Sequence, residues 1–149
     1  MRFNKTTEYA FRIFAFMAMD KTKLYRADEM YEYLKIPIRY LRRLLTELSK
    51  TELMESVQGN KGGFRLKKTP EEITLLDIVI ATESNIERNF CFFGFQECQF
   101  GEKKCHMHDN WITIIEGIEK LLKTTTLSNL TDIETQKYIL ENIQILTKN

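Results

Sequence analysis

The chain has 149 residues, 43% of them hydrophobic and 29% charged, enough for one compact domain or a small domain with an appendage. That balance excludes a disordered chain, and no apolar run reaches the length of a membrane span. The net charge of +1 hides a division: residues 1–70 carry 15 Lys/Arg against 8 Asp/Glu, and residues 71–149 carry 7 against 13. A basic half joined to an acidic half points to a polyanionic partner on one side only.

The first twenty residues, MRFNKTTEYAFRIFAFMAMD, carry Lys5, Glu8 and Arg12 and offer no small-residue cleavage site. They read as a helix rather than an export signal, which predicts a cytoplasmic, reducing location. The helix is expected over 6–19, capped by Thr6 or Thr7, with Glu8 suited to the positive end of its dipole. Tyr9, Ile13, Phe14, Phe16 and Met17 give it a broad apolar face. A second short helix is expected over 26–34, with Met30 and Leu34 inward.

The stretch IPIRYLRRLLTELSK follows. Pro37 suits a first helical position, where its missing N–H is no loss. Ile38, Leu41, Leu44, Leu45 and Leu48 recur at three- and four-residue steps, and the opposite face presents Arg39, Arg42, Arg43, Thr46 and Lys50. Two short helices, a tight connection at Lys35-Ile36 and a basic outer face make the outline of a helix-turn-helix. LMESVQ and FRLKK then flank the turn GNKGG, which predicts a β-hairpin wing. Gly62 and Gly63 there permit backbone angles that other residues avoid.

Residues 72–83, EITLLDIVIATE, predict another helix, with Thr74 as cap and Leu75, Leu76, Ile78 and Val79 inward. The next segment, CFFGFQECQFGEKKCHMH, gathers all three cysteines and both histidines of the chain. It follows neither helix nor strand period, so a loop is expected. An odd number of thiols cannot close a disulfide framework, and their clustering beside two imidazoles points to a metal of some kind. Further on, Trp111, Ile115, Ile118 and Leu122 line one side of a long helix; that seam suits either a second copy of the chain or the helix's own domain. A last helix is expected over 132–146.

This order of parts resembles the Rrf-type family of bacterial transcriptional regulators, of the IscR- and NsrR-like kind. The resemblance runs from about residue 1 to about residue 130 and is carried by YLRRLLTELSKTELMESVQGNKGGFRL, by ITLLDIVIATE, and by the cysteine loop running into CHMHDNW. It implies a cytoplasmic homodimer that binds double-stranded operator DNA and carries one iron–sulfur cluster, of two or four irons, in each cysteine loop. Cys91, Cys98 and Cys105 are then the thiolate ligands. His108 is the first choice for the fourth ligand, Glu8 from the partner subunit the second and His106 the third. The family also has cluster-free members.

Two positions depart from the family pattern. Gln58 replaces an arginine ahead of the first wing glycine, where Lys61 offers a substitute charge, and Glu52 replaces a glycine before the wing.

Iron–sulfur clusters take thiolates and accept an imidazole or carboxylate in place of one. Phe90, Phe92, Phe93, Phe95 and Phe100 surround the cysteines and would exclude water. A structural zinc site of three cysteines and a histidine competes, although no CxxC pair is present. Idle or redox-active thiols are the third reading.

The expected fold is mainly α with a small β-hairpin: a winged helix-turn-helix over 1–83, a cysteine-rich loop over 84–110, and a dimerisation helix with a C-terminal segment over 111–149. The expected function is regulation of transcription, as a repressor controlled by an iron–sulfur cluster that senses redox state, nitric oxide or iron–sulfur status. Arg39, Arg42 and Arg43 are expected in the major groove, with Lys50, Gln58 and Lys61 at the backbone and wing contacts. No catalytic activity is expected, because a cysteine–histidine pair on such a scaffold lacks a third orienting group.

Overall fold

A computed structural model describes residues 3–83, 91–93 and 104–131, together with residues 134, 137, 138, 141 and 142. Its named elements run α1 (Lys5–Met17), α2 (Ala27–Leu34), α3 (Ile38–Leu48), β1 (Met54–Val57), β2 (Gly63–Leu66), α4 (Leu75–Thr82) and α5 (His108–Thr124), then a short 3-10 turn at Leu127–Leu130. The first five predicted helices and the hairpin are therefore present in the predicted order, and their ends differ in instructive ways; most of the loop expected over 84–110 lies outside the described residues.

The cap of α1 is Asn4, not Thr6 or Thr7: its side-chain oxygen accepts the Thr7 N–H at 2.8 Å. Thr7 is instead fully buried, the one buried polar residue among those described. Pro37 stands one place earlier than expected, as the residue before α3, with extended backbone angles (φ −49°, ψ 124°). A residue in the cap position keeps its carbonyl available to the helix, and Pro37 O accepts the Leu41 N–H at 2.9 Å. The α4 helix starts at Leu75 rather than 72. Thr74 caps it in a reciprocal box with Asp77, while Glu72 is occupied in accepting the N–H and hydroxyl of Thr69.

The turn between α2 and α3 depends on Lys35, whose φ of 51° makes it the one described non-glycine residue in the left-handed region. It closes α2 by donating its N–H to Tyr31 O at 3.0 Å, and it delivers Ile36 into the core with no exposed surface. The core itself is one cluster. Ile13, Phe14 and Met17 of α1 meet Met30 and Leu34 of α2, Leu41, Leu45 and Leu48 of α3, Met54 and Leu66 of the hairpin, and Ile73 and Ile78. Spacing of apolar residues at three and four positions along each helix makes that burial possible.

The hairpin is antiparallel in the register Met54–Leu66, Glu55–Arg65, Ser56–Phe64, Val57–Gly63. Phe64 and Tyr25 exchange two backbone hydrogen bonds of 2.8 Å, so the segment before α2 becomes a one-residue third strand. This contact corrects the reason for the wing glycines. The positive backbone angle belongs to Gly59 (φ 109°), whereas Gly62 and Gly63 are required for space. A Cβ on Gly62 would lie 2.1 Å from Val57 O, and one on Gly63 would lie 2.7 Å from Tyr25 O.

The long helix α5 buries only Leu122 among its own residues. Trp111, Ile115 and Ile118, the rest of the expected seam, are half-buried. Beyond α5 the chain folds back: Leu75 donates to Thr125 O and Leu127 donates to Ile73 O, both at 2.9 Å, and Leu127 enters the core. Of the helix expected over 132–146, residues 134, 137, 138, 141 and 142 are helical and the others lie outside the described residues.

Candidate nucleic-acid interface and cysteine loop

Burial of Leu41, Leu44, Leu45 and Leu48 fixes the rotation of α3, and the same rotation turns Arg39, Arg42 and Arg43 to solvent. The three guanidinium groups sit in different settings. Arg42 Nη2 donates to Asp28 Oδ1 of α2 at 2.7 Å. Arg43 lies 5.0 Å from the centre of the Tyr40 ring. Among the described residues no carboxylate pairs with Arg39 or Arg43.

Tyr40 is anchored from behind. Its hydroxyl is 2.5 Å from Thr6 Oγ1, and its ring meets Tyr9 edge-on at 5.5 Å. The reading face is thereby locked to the first turns of α1. Lys50 is exposed just past α3 and pairs with Glu47 at 3.0 Å. Gln58 and Lys61 are exposed at the wing tip. Arg26 donates to Asn60 O at 2.5 Å, a tie between α2 and the wing that spacing along the chain does not reveal. Glu52, in place of the family's glycine, is exposed and pairs with Lys67 at 3.6 Å.

The second candidate site is described in part. Cys91 and Cys105 are half-buried free thiols; Cys98, Phe90, Phe95 and Phe100 lie outside the described residues. His108 is half-buried as the first residue of α5 and donates its backbone N–H to Cys105 O at 3.0 Å, while His106 is exposed. Phe92 and Phe93 are largely exposed, and Phe92 stacks edge-on against Trp111 at 5.5 Å. Phe92, the residue after Cys91, is thus held against α5. Glu8 faces Lys5 at 3.4 Å in the first turn of α1. Among the described residues no three His, Cys, Asp or Glu side chains come together as a metal-ligand set. The donor types are those a soft metal takes: the thiols of Cys91 and Cys105 are free and half-buried, and the His108 imidazole follows Cys105 at the start of α5.

A helix-turn-helix with a basic outer helix, followed by a two-stranded wing packed through Tyr25–Phe64, defines a winged-helix DNA-binding protein. The chain belongs to the Rrf2 family, described as iron-dependent transcriptional regulators, whose model matches residues 3–133. It is 32% identical over 135 residues to a putative HTH-type transcriptional regulator of Aquifex aeolicus, covering 90% of this chain and 94% of that protein. It is 34% identical to the HTH-type transcriptional regulator NsrR of Shouchella clausii, over 62% of each chain. Its fold is similar to that of CymR, the global cysteine regulator of B. subtilis, with a TM-score of 0.75 at 21% identity, covering 88% of this chain and 96% of that one. The family and these relatives are regulators of transcription and not enzymes. No helix among the described residues is long and apolar enough to cross a membrane.

Proposed function

We propose that this chain is a homodimeric repressor whose hold on a palindromic operator is governed by an iron–sulfur cluster in the cysteine loop. Arg39, Arg42 and Arg43 of α3 read base edges in the major groove, Lys50 and Lys61 meet phosphates, and Gln58 takes the wing position. Residues 1–83 form the DNA-binding unit, 84–110 the cluster loop and 111–149 the dimerisation segment. In a two-fold dimer the reading helices lie about one DNA turn apart, ~34 Å or a multiple of it.

The observation that carries the proposal is the connection between the two candidate sites. The segment holding Cys91 is stacked through Phe92 on Trp111 of α5, and α4 packs between α5 and α1, whose first turns hold Tyr40 of the reading helix. A change in the loop therefore has a packed route to the DNA face. The exposed apolar side chains Ile114 and Leu121, 52% and 60% accessible on α5, support pairing of two copies through that helix.

Cys91, Cys98 and Cys105 would hold the cluster as thiolates, with His108 as fourth ligand, Glu8 of the partner subunit as second choice and His106 as third. Bound there, the cluster would supply a centre that responds to redox change or nitric oxide. The thiols must lose their protons to ligate, so loading should depend on pH. A switch also requires that the two states of the loop be stabilised unequally by DNA.

Oxygen-free purification tests this directly. Visible absorbance with iron and sulfide in proportion to protein is expected, and operator affinity should differ between loaded and metal-free protein at fixed salt. A colourless protein containing zinc, or one holding neither iron nor sulfide after reconstitution, would replace this reading with a structural-zinc or thiol-based regulator.

A further inference from the structure

We infer that Asp28 is a positioning residue for Arg42, setting the base preference of the reading head without itself touching a base. The inference rests on the proposed placement of α3 in the major groove. Asp28 stands in the first turn of α2 and reaches across the helix-turn-helix to Arg42, fourteen positions on, at 2.7 Å. The pair is open to solvent, with side-chain exposures of 78% and 60%. An ion pair so exposed adds little to stability, and Glu29 already places a second negative charge in the same helical turn. Its consequence falls on the arginine.

A guanidinium carries five N–H donors in a planar fork. One is engaged by Asp28 Oδ1, and the remaining donors include pairs able to meet the two acceptors on the major-groove edge of guanine. Holding the long side chain in place beforehand removes rotamer freedom that would otherwise be lost on binding. The carboxylate also repels phosphate, so it disfavours the alternative in which Arg42 swings to the sugar-phosphate backbone. Both effects act in one direction: affinity for the correct base rises relative to affinity for any duplex. Arg43, held against the Tyr40 ring, has no such acidic guard among the described residues.

The test uses the full-length protein as purified and a pool of duplexes with randomised sequence, the bound fraction being sequenced for the unaltered protein, Arg42→Ala and Asp28→Ala. Arg42→Ala should erase a guanine preference at one position in each half-site. Asp28→Ala should weaken preference at that same position by roughly two- to fivefold, leaving the other positions and the melting temperature unchanged. On a random-sequence duplex, the salt dependence of Asp28→Ala should steepen by roughly one added phosphate contact, about 0.9 in the log–log slope. If Arg42→Ala loses a position and Asp28→Ala keeps it in full, the positioning role of Asp28 fails while α3 remains the reader. If Arg42→Ala keeps every preference, the placement of Arg42 on the bases fails, and the inference with it.

Discussion

Thr7 Oγ1 lies 2.8 Å from Glu83 Oε1, a hydrogen bond that spans 76 positions and joins the first turn of α1 to the end of α4. The same hydroxyl is 2.8 Å from Thr82 Oγ1 and 3.1 Å from the Asn4 side-chain oxygen. Its single proton serves Glu83, Asn4 or Thr82, and its lone pairs can accept from Thr82. This cluster therefore ties the end of α4 to the first turn of α1.

Thr7→Val keeps the shape of that side chain and removes its donor. Because the site is buried, the partners left behind lose a hydrogen bond that water replaces poorly, and a loss of about 1–3 kcal/mol is expected. Urea unfolding should show a lower midpoint at unchanged slope. A midpoint equal to that of the unaltered protein would mean that Glu83 and Thr82 are satisfied without Thr7.

Gly62→Ala should disrupt the wing selectively. The added Cβ would meet Val57 O at 2.1 Å and Gly59 O at 2.9 Å, both backbone atoms that cannot rotate away. A cost of about 1–3 kcal/mol is expected, concentrated in β1 and β2. Amide hydrogen exchange at Phe64 and Tyr25 should accelerate while α1 and α3 stay protected. Uniform protection across hairpin and helices would show that the turn accommodates a methyl group.

Acid should weaken the fold through carboxylates that are bound more favourably when charged. The Thr22 hydroxyl and N–H hold the Asp20 carboxyl below its ordinary range, and the Thr69 N–H and hydroxyl do the same for Glu72. A pKa lowered by folding contributes stability that is present above the unfolded value and disappears as pH falls through the folded one. Stability should therefore be level near neutrality and decline below pH about 4. Asp20→Asn should make the acid limb of a stability–pH curve shallower, and a curve unchanged in slope would contradict the assignment.

Trp111 is the only tryptophan in the sequence, and it touches the residue that follows Cys91. An absorbing metal centre in the loop should quench its emission, so chelation under anaerobic conditions should raise the fluorescence. Phe92→Ala should alter the emission even without metal by removing the ring contact at 5.5 Å. Emission that is indifferent to iron removal would place any metal away from this loop.

Much of the architecture was legible because it is written at short range. Apolar spacing predicted α1, α3 and α4, the turn GNKGG predicted the hairpin, and Thr74 predicted its own capping role. Errors arose where two nearby residues could serve one purpose. Asn4 outcompetes the adjacent threonines because Thr7 is drawn inward by Thr82 and Glu83. Pro37 sits outside α3 because the chain must first turn at Lys35 and bury Ile36. The role of Gly62 and Gly63 is not legible from local spacing, since the atoms they approach, Val57 O and Tyr25 O, are brought there by pairing between strands.

The sequence by itself determined the helix-turn-helix, the wing, the basic face of α3 and the gathering of soft donors in one short segment, since each follows from residue type and spacing within a turn or a hairpin. Only the tertiary structure decided that Asp28 holds Arg42, that Tyr40 is braced by Thr6, and that Ile114 and Leu121 are left outside on α5. Those facts depend on how helices rotate and cross when the shared core closes. Periodicity states which side of a helix is apolar; packing chooses what that side, and its opposite, will meet.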